Sequence, residues 1–198
     1  MKLSLVRHGE TEENREEIIQ GQTLGSLSEK GREQAIKVAL RLKYEKFDHV
    51  YVSDLQRAID TAKEILRFHN GTAASFDARL REQNLGVFEG RPFSSLREEI
   101  LAQRIDYIRF KPSGGESVEE LDQRVRAFYR SILERHLGES VLLVTHGGVI
   151  ITMLLHILGW GLSRYREVLP ENTALSVIDI GPEGKMPIVR LLNSIDHL

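Results

Sequence analysis

Two short apolar runs in this chain end in the same way. Leu3–Val6 stops abruptly at Arg7-His8-Gly9, and Val141–Val144 stops at Thr145-His146-Gly147-Gly148. Apolar runs of this length with polar tips read as buried strands entering loops, and a glycine behind each histidine frees the backbone for a tight turn. Whatever fold the chain adopts has to deliver a histidine at the end of two separate strands.

The segments between them alternate in pattern. Ser28 is placed to cap a helix whose apolar positions are Ala35, Val38, Ala39 and Leu42. His49–Ser53 reads as a second strand, followed at once by a helix with Leu55, Ala58, Ile59, Ala62, Ile65 and Leu66 on one face and Asn70-Gly71 at its end. A third strand is expected over Ala74–Ala78. Arg81–Pro92 is charged and glycine-bearing, and reads as loop. Ser94–Phe110 reads as helix, broken by Lys111-Pro112-Ser113-Gly114-Gly115. Ser117-Val118-Glu119-Glu120 is a capping box that opens a helix facing inward through Val118, Leu121, Val125, Phe128 and Ile132. The apolar stretch Val149–Leu158 is about half a membrane span and reads as a core helix. Ala174–Ile180 and Ile188–Leu192 fit two last strands, joined as a hairpin through Gly181-Pro182-Glu183-Gly184. Strands alternating with helices predict a three-layer α/β sandwich, with a mostly parallel central sheet flanked by helices. No linker or repeat divides the 198 residues, so 1–198 is expected to be one domain, with 91–115 a small lid.

Composition narrows the chemistry. A net charge of −2 provides no basic field for nucleic acid or an anionic membrane, so neither is an expected partner, and any anion site must be built locally from a few cations. The chain has no cysteine, which excludes disulfides, thiolate metal sites and cysteine nucleophiles. The apolar start is too short for a signal-peptide core, so a cytoplasmic location is expected. Nothing in the sequence bears on oligomeric state.

In open α/β sheets, ligands bind beyond the carboxyl ends of the strands. That rule selects the His8 and His146 tips together with Ser53-Asp54-Leu55-Gln56-Arg57. A single histidine ending a strand and bonded to backbone would be unremarkable; two in matching contexts point to a site. A zinc pair is the alternative, but no third ligand stands at metal spacing and there is no His-Glu-x-x-His, so neither a metal nor another cofactor is expected in the reaction. Arg57 falls in the first turn of its helix, where a cation opposes the helix dipole. An anion shared by arginine and helix terminus explains that placement, and Arg7 beside His8 suggests the same. Two guanidiniums can fork onto the oxygens of one phosphoryl group. Histidine, mostly neutral at pH 7, can attack phosphorus without a dedicated base. The arginines and His146 would stabilise the transferred group, and a carboxylic acid would protonate the leaving oxygen. Position alone leaves Glu10, Glu82, Glu89 and Glu116 as candidates for that acid.

Arg7-His8-Gly9-Glu10-Thr11 resembles the signature of the histidine phosphatase, or phosphoglycerate mutase-like, superfamily. Asn14, Leu27-Ser28 with Gly31, Ser53-Asp54-Leu55-x-Arg57-Ala58 with Thr61-Ala62, Leu80-x-Glu82 with Gly86, Glu89-Gly90, Gly114-Gly115-Glu116-Ser117 and Thr145-His146-Gly147-Gly148 follow in family order. The resemblance implies a phosphoglycerate mutase-like fold, with His8 as the residue phosphorylated in turnover. It further implies that Arg7, Arg57 and His146 complete a phosphate pocket, that Glu82 is the acid–base, and that Asn14 and the amide of Gly147 lie near the phosphate. The stretches Ile18-Ile19-Gln20-Gly21-Gln22 and Arg79–Gly90 are similar to the phosphatase branch, which includes α-ribazole phosphatases, broad-specificity phosphatases and the fructose-bisphosphatase-like TIGAR group. Gln20, Gly21 and Gln22 are accordingly expected near the substrate, a small phosphomonoester. Cofactor-dependent mutases of the family are longer through the lid, so hydrolysis is expected over mutase-type transfer or a purely phosphate-binding role. Arg91 and Lys111 are candidates for holding an anionic substrate tail.

Overall fold

A computed structural model describes residues 1–182 and 186–198. Its elements, in chain order, are β1 (Lys2–Arg7), α1 (Glu12–Arg15), α2 (Glu29–Leu42), β2 (His49–Val52), α3 (Gln56–Leu66), β3 (Ala74–Phe76), α4 (Phe93–Gln103), α5 (Val118–Arg135), β4 (Ser140–Thr145), α6 (Gly147–Ile157), β5 (Leu175–Asp179) and β6 (Ile188–Ser194). The strands form one sheet in the order β3-β2-β4-β1-β5-β6. β3, β2, β4 and β1 run parallel, whereas β5 and β6 are antiparallel additions at one edge. This is the expected mostly parallel three-layer α/β sandwich. The terminal hairpin forms as expected, although Glu183 and Gly184 of its connection lie outside the described residues.

The two-residue period of the strands divides the core. Leu3, Leu5, Tyr51, Val141 and Leu143 face one side and pack with Val125 and Phe128 of α5 and with Val149 and Met153 of α6. Val6, Val50, Val52, Leu142 and Val144 face the other, against Val38, Ala39 and Leu42 of α2 and Ala58, Ala62 and Ile65 of α3. Both faces of the parallel strands are therefore covered, which is why they read as unbroken apolar runs rather than alternating ones. α6 is apolar all round because it is buried almost along its length.

The helix expected over Ser94–Phe110 is shorter than that. It runs Phe93–Gln103 and stops because Arg104 turns left-handed, at φ 55°. Asp106 then builds a turn, its carboxylate accepting from the Ile108 amide and its carbonyl from the amides of Arg109 and Phe110. Phe110 folds back onto Ile19, Phe88, Leu96 and Ile100, forming a small apolar cluster separate from the sheet. The apolar residues after position 104 thus serve a returning turn, not a helix face. β3 likewise ends at Phe76, earlier than the pattern suggested. The short α1, closed by a Thr11–Asn14 capping box, and the 3-10 turns Ala78–Leu80, Gly86–Phe88 and Leu162–Glu167 were not anticipated.

The loop after β1 lies backbone to backbone on the start of α2. A Cβ on Gly31 would fall 1.9 Å from the Glu10 carbonyl oxygen, and one on Gly9 would fall 2.4 Å from the Gly31 carbonyl oxygen. Gly31→Ala is therefore expected to destabilise the fold by about 1–3 kcal/mol through overpacking, read as a lower urea midpoint with the denaturant slope unchanged. A midpoint equal to wild type would show that the His8 loop gives way freely.

Candidate active site

All three parallel-strand tips that the sequence singled out meet at one end of the sheet. His8 follows β1, Ser53 follows β2 and His146 follows β4, because these neighbouring strands run in register and end together. The His8 and His146 rings lie with centroids 5.1 Å apart. His8 is buried, and its Nδ1 stands 2.7 Å from the carbonyl oxygen of Gly9. A carbonyl can only accept, so Nδ1 carries the proton and Nε2 keeps the free lone pair. Burial, followed by the nearby charges of Arg57 and Arg7, holds the His8 pKa well below its usual value. The imidazole is neutral and nucleophilic at neutral pH.

His146 is held from the other side. Its Nε2 lies 2.7 Å from Ser53 Oγ, which also accepts from the Leu55 amide. Ser53 is fully buried, and the imidazole is the partner that can take its hydroxyl proton. That leaves the second proton-bearing position at Nδ1, an atom with no hydrogen-bond partner among the described residues. Burial first, then Arg57, His8 and Arg7, keeps His146 neutral as well.

Arg57 sits in the first turn of α3 with no solvent exposure. Its terminal nitrogens donate to the carbonyls of Gly21, at 2.7 Å, and Thr23, at 3.0 Å. Gly21 has φ 51°, so a glycine lets the chain turn its carbonyl inward. Arg57 keeps its charge although burial lowers its pKa to about 10. Arg7 donates to the Pro170 carbonyl at 2.8 Å. The Nε–H groups of both arginines are buried and unpartnered among the described residues. Three buried N–H donors thus converge beside His8, and a multi-oxygen anion is the group that would satisfy them together.

Of the four candidate glutamates, Glu82 is the one that acts on the charges of both Arg7 and Arg57. Its oxygens accept from the Gly148 amide at 3.2 Å, at the start of α6. A Cβ on Gly147 would be 3.7 Å from Arg7 Nε and 3.8 Å from Glu82 Oε2, which puts that glycine between the two. The other glutamates are engaged elsewhere. Glu10 bonds Ser28 and Lys30, Glu89 accepts from the amides of Gln22 and Leu85, and Glu116 pairs with Arg124.

Of the remaining expected residues, Asn14 reaches the site through Asn172, whose amide donates to Asn14 Oδ1 and to the His8 carbonyl. Gly21 contributes its carbonyl to Arg57, and Gln22 donates to the Glu82 carbonyl at 3.1 Å. Gln20 lies beside Gly25, its Oε1 buried and unpartnered among the described residues. Lys111 is paired with Glu120 at 2.6 Å, and Arg91 lies over the Phe88 ring.

Several supporting residues escaped the sequence reading. Arg124 donates to the carbonyls of Arg79, Arg81 and Glu82 while bound to Glu116, and Arg81 pairs with Asp54, so the Glu82 segment is fastened from two sides. Thr61 receives the Gly9 amide. Thr173, a β-branched residue at φ 59°, donates its amide to the carbonyls of Arg7 and His8 and so carries local strain at the loop that holds them. Only the capping-box and strand-tip patterns had a sequence signal; Arg124 and Asn172 stand in ordinary contexts.

The match to known proteins spans the same residues. The model of the histidine phosphatase superfamily (branch 1) matches residues 3–194. The chain is 39% identical over 186 residues to "Probable phosphoglycerate mutase GpmB" of Salmonella choleraesuis, covering 90% of this chain and 85% of that one. Its structure resembles the α-ribazole phosphatase of Shigella flexneri, with a TM-score of 0.88, 29% identity and coverage of 98% and 96% of the two chains. It also resembles the phosphoserine phosphatase of Entamoeba histolytica solved with 3-phosphoglyceric acid, with a TM-score of 0.85, 28% identity and coverage of 99% and 98%.

The two neutral histidines carry a consequence for stability. Both have folded pKa values held below the unfolded value near 6.5, so the unfolded chain binds more protons as pH falls. Their stabilising contribution is complete above about pH 6.5 and is lost as pH drops toward the folded pKa values. His69, His156 and His197 are shifted the same way and add to the slope. Unfolding free energy measured in urea between about pH 7 and 5 should therefore decline, and His8→Asn should flatten the decline, by up to one proton's worth, about 1.4 kcal/mol per pH unit, toward pH 5. Identical slopes in the two proteins would mean that His8 titrates normally.

Proposed function

Because the chain belongs to the histidine phosphatase superfamily, we propose that it hydrolyses small phosphomonoesters by passing the phosphoryl group through His8. The carrying observation is the convergence of three buried, unpartnered N–H donors, on Arg7, Arg57 and His146, around a neutral imidazole whose Nε2 is free. A phosphoryl group offers three oxygens to such a set.

In the first step the Nε2–phosphorus bond forms as the ester phosphorus–oxygen bond breaks. Glu82, in its protonated form, gives its proton to the leaving alkoxide. Charge gathering on the phosphoryl oxygens is met by the two guanidiniums and by His146, all placed before the substrate arrives. In the second step water attacks the phosphohistidine, Glu82 takes a proton from it, and inorganic phosphate leaves with His8 restored. The Gly148 amide bonds the Glu82 carboxylate and Arg124 its carbonyl, contacts that support a fixed position for both proton transfers. The guanidiniums do the charge neutralisation in this scheme, so no divalent metal is required for turnover.

A second reading has a specific basis, since curated relatives such as the Salmonella protein are named phosphoglycerate mutases. A mutase must keep its phosphohistidine dry while the intermediate reorients, which needs a sealing cover. The segment 91–115 supplies an eleven-residue helix and three residues, Leu96, Ile100 and Phe110, of a five-residue buried apolar cluster completed by Ile19 and Phe88. Phe93, Leu101 and Ile105 remain exposed on it, and we read it as a partial cover that admits water.

Two experiments separate these readings. Incubated with 3-phosphoglycerate and 2,3-bisphosphoglycerate, the wild-type protein should release free phosphate faster than it isomerises the substrate, and His8→Ala should lose both a quench-trapped phosphoenzyme and turnover. Isomerisation outpacing phosphate release would establish the mutase, and an adduct surviving in His8→Ala would move the nucleophile. For the proton donor, Glu82→Gln should slow hydrolysis of an alkyl phosphate by about 10²–10⁴-fold. It should leave p-nitrophenyl phosphate, whose leaving group needs no proton, far less affected; equal losses on both would point to another acid.

A further inference from the structure

At the opposite end of the same sheet, three side chains meet that play no part in the chemistry above. His49 opens β2, His136 caps the end of α5, and Glu139 precedes β4. Gly138, at φ 91°, bends the connection so that His136 and Glu139 face the same way. His136 Nδ1 lies 2.8 Å and His49 Nε2 2.9 Å from one oxygen, Glu139 Oε2. The two imidazole rings lie with centroids 3.8 Å apart and planes tilted by 35°. On its far side, His136 Nε2 lies 2.8 Å from the hydroxyl of Tyr51.

We propose that His49, His136 and Glu139 form a binding site for a zinc-class divalent cation, distinct from the phosphoryl pocket. One ligand atom from each of the three side chains falls within 4.8 Å of the others. Two nitrogens and one carboxylate oxygen are a donor set suited to Zn²⁺, which leaves a fourth position for solvent. Zinc bonds near 2.0–2.1 Å at tetrahedral angles put ligand atoms about 3.3 Å apart, so the two nitrogen–oxygen distances, 2.8 and 2.9 Å, need to open by only a few tenths of an ångström. His49 and Glu139 are both about 40% exposed and free to make that adjustment, whereas His136 is held by Tyr51. That hydroxyl is the partner a ligating histidine needs behind it. When Nδ1 binds the metal, the ring proton moves to Nε2 and is donated to the tyrosine oxygen.

The site fastens the starts of β2 and β4 to the end of α5. It lies a strand's length from His8; the four steps from His49 to Ser53 alone span about 13 Å. Sequence spacing could not reveal it, because His49 and His136 stand 87 positions apart and meet only through the pairing of β2 with β4. The sequence reading named no metal ligand, and the proposed site departs from that expectation.

The test is calorimetric titration of tag-free, chelator-treated protein with Zn²⁺, with Co²⁺ absorption in the visible reporting coordination. One Zn²⁺ should bind per chain, raise the thermal midpoint and give the same result in His8→Ala. His49→Ala and Glu139→Gln, both surface changes that should fold as wild type by circular dichroism, should lose the isotherm and the Co²⁺ band, and Tyr51→Phe should weaken binding by about tenfold. Binding that disappears in His8→Ala would place the metal at the catalytic histidines. Binding that persists in His49→Ala, or no binding by wild type at micromolar Zn²⁺, would leave the cluster a hydrogen-bonded ion pair and overturn the proposal.

Discussion

Two guanidinium groups held at the tips of a parallel sheet set the terms for the rest of this molecule. Taking a cation out of water costs several kcal/mol even after relaxation, and Arg57 has no exposed surface at all. The surrounding chain is shaped to offset that cost. Carbonyls of Gly21 and Thr23 take two of the Arg57 donors, the Pro170 carbonyl takes one from Arg7, and Glu82, Glu13 and Glu171 supply opposing charge at a distance. Two of these loops carry left-handed residues, Gly21 and Thr173, in the turns that aim their groups inward. The offset is incomplete at the Nε–H of each arginine, and that incompleteness is what suits the site to an anion.

The same positive field fixes the state of the histidines. A protonated imidazole beside two buried guanidiniums would be doubly disfavoured, by burial and by like charge, so both rings stay neutral. Their hydrogen bonds then decide which nitrogen does what. Gly9 claims the proton on His8 Nδ1 and bares Nε2, while Ser53 occupies His146 Nε2 and leaves Nδ1–H without a partner among the described residues. The proposed nucleophile and the proposed donor are the same residue type, separated by one carbonyl and one hydroxyl. Glu82 is set apart from the other glutamates by the same kind of local bonding. Arg124 and the Asp54–Arg81 pair fix its backbone, and the amides of Gln83 and Gly148 hold its carboxylate.

Much of this was readable in the chain because buried parallel strands and capped helices write themselves locally. The runs at Leu3–Val6 and Val141–Val144, the Ser28 and Ser117 caps and the apolar stripe of α3 each act over a few residues, and each formed where expected. The strand-tip rule then located His8, Arg57 and His146 without any knowledge of pairing. What local pattern cannot carry is the left-handed turn at Arg104, which ended a plausible helix, or the long-range contacts of Arg124 and Asn172. Glu82 was one of four candidates by position, and its selection depends on the resemblance and on a segment that only the fold brings to the start of α6.

The division between the two apolar regions bears on specificity. In the proposed scheme the groups at the sheet tips meet the phosphoryl group alone: three N–H donors, one nucleophile and one acid make no demand on the rest of the ester. Discrimination among substrates would then come from other parts of the chain, and the cluster of Ile19, Phe88, Leu96, Ile100 and Phe110, with Leu85 packed against it, shares no buried residue with the sheet core. Arg7 and His146 bond to groups outside that cluster, whereas the Gly21 carbonyl that holds Arg57 lies two residues from Ile19. A single catalytic floor can therefore serve hydrolases and transferases alike, and what separates them is how well the cover excludes water from the proposed phosphohistidine. In this chain the segment proposed as a cover holds one helix, Phe93–Gln103, and a returning turn, packed together through Leu96, Ile100 and Phe110. The proposal of hydrolysis leans on that small cover rather than on the residues proposed to carry phosphoryl transfer.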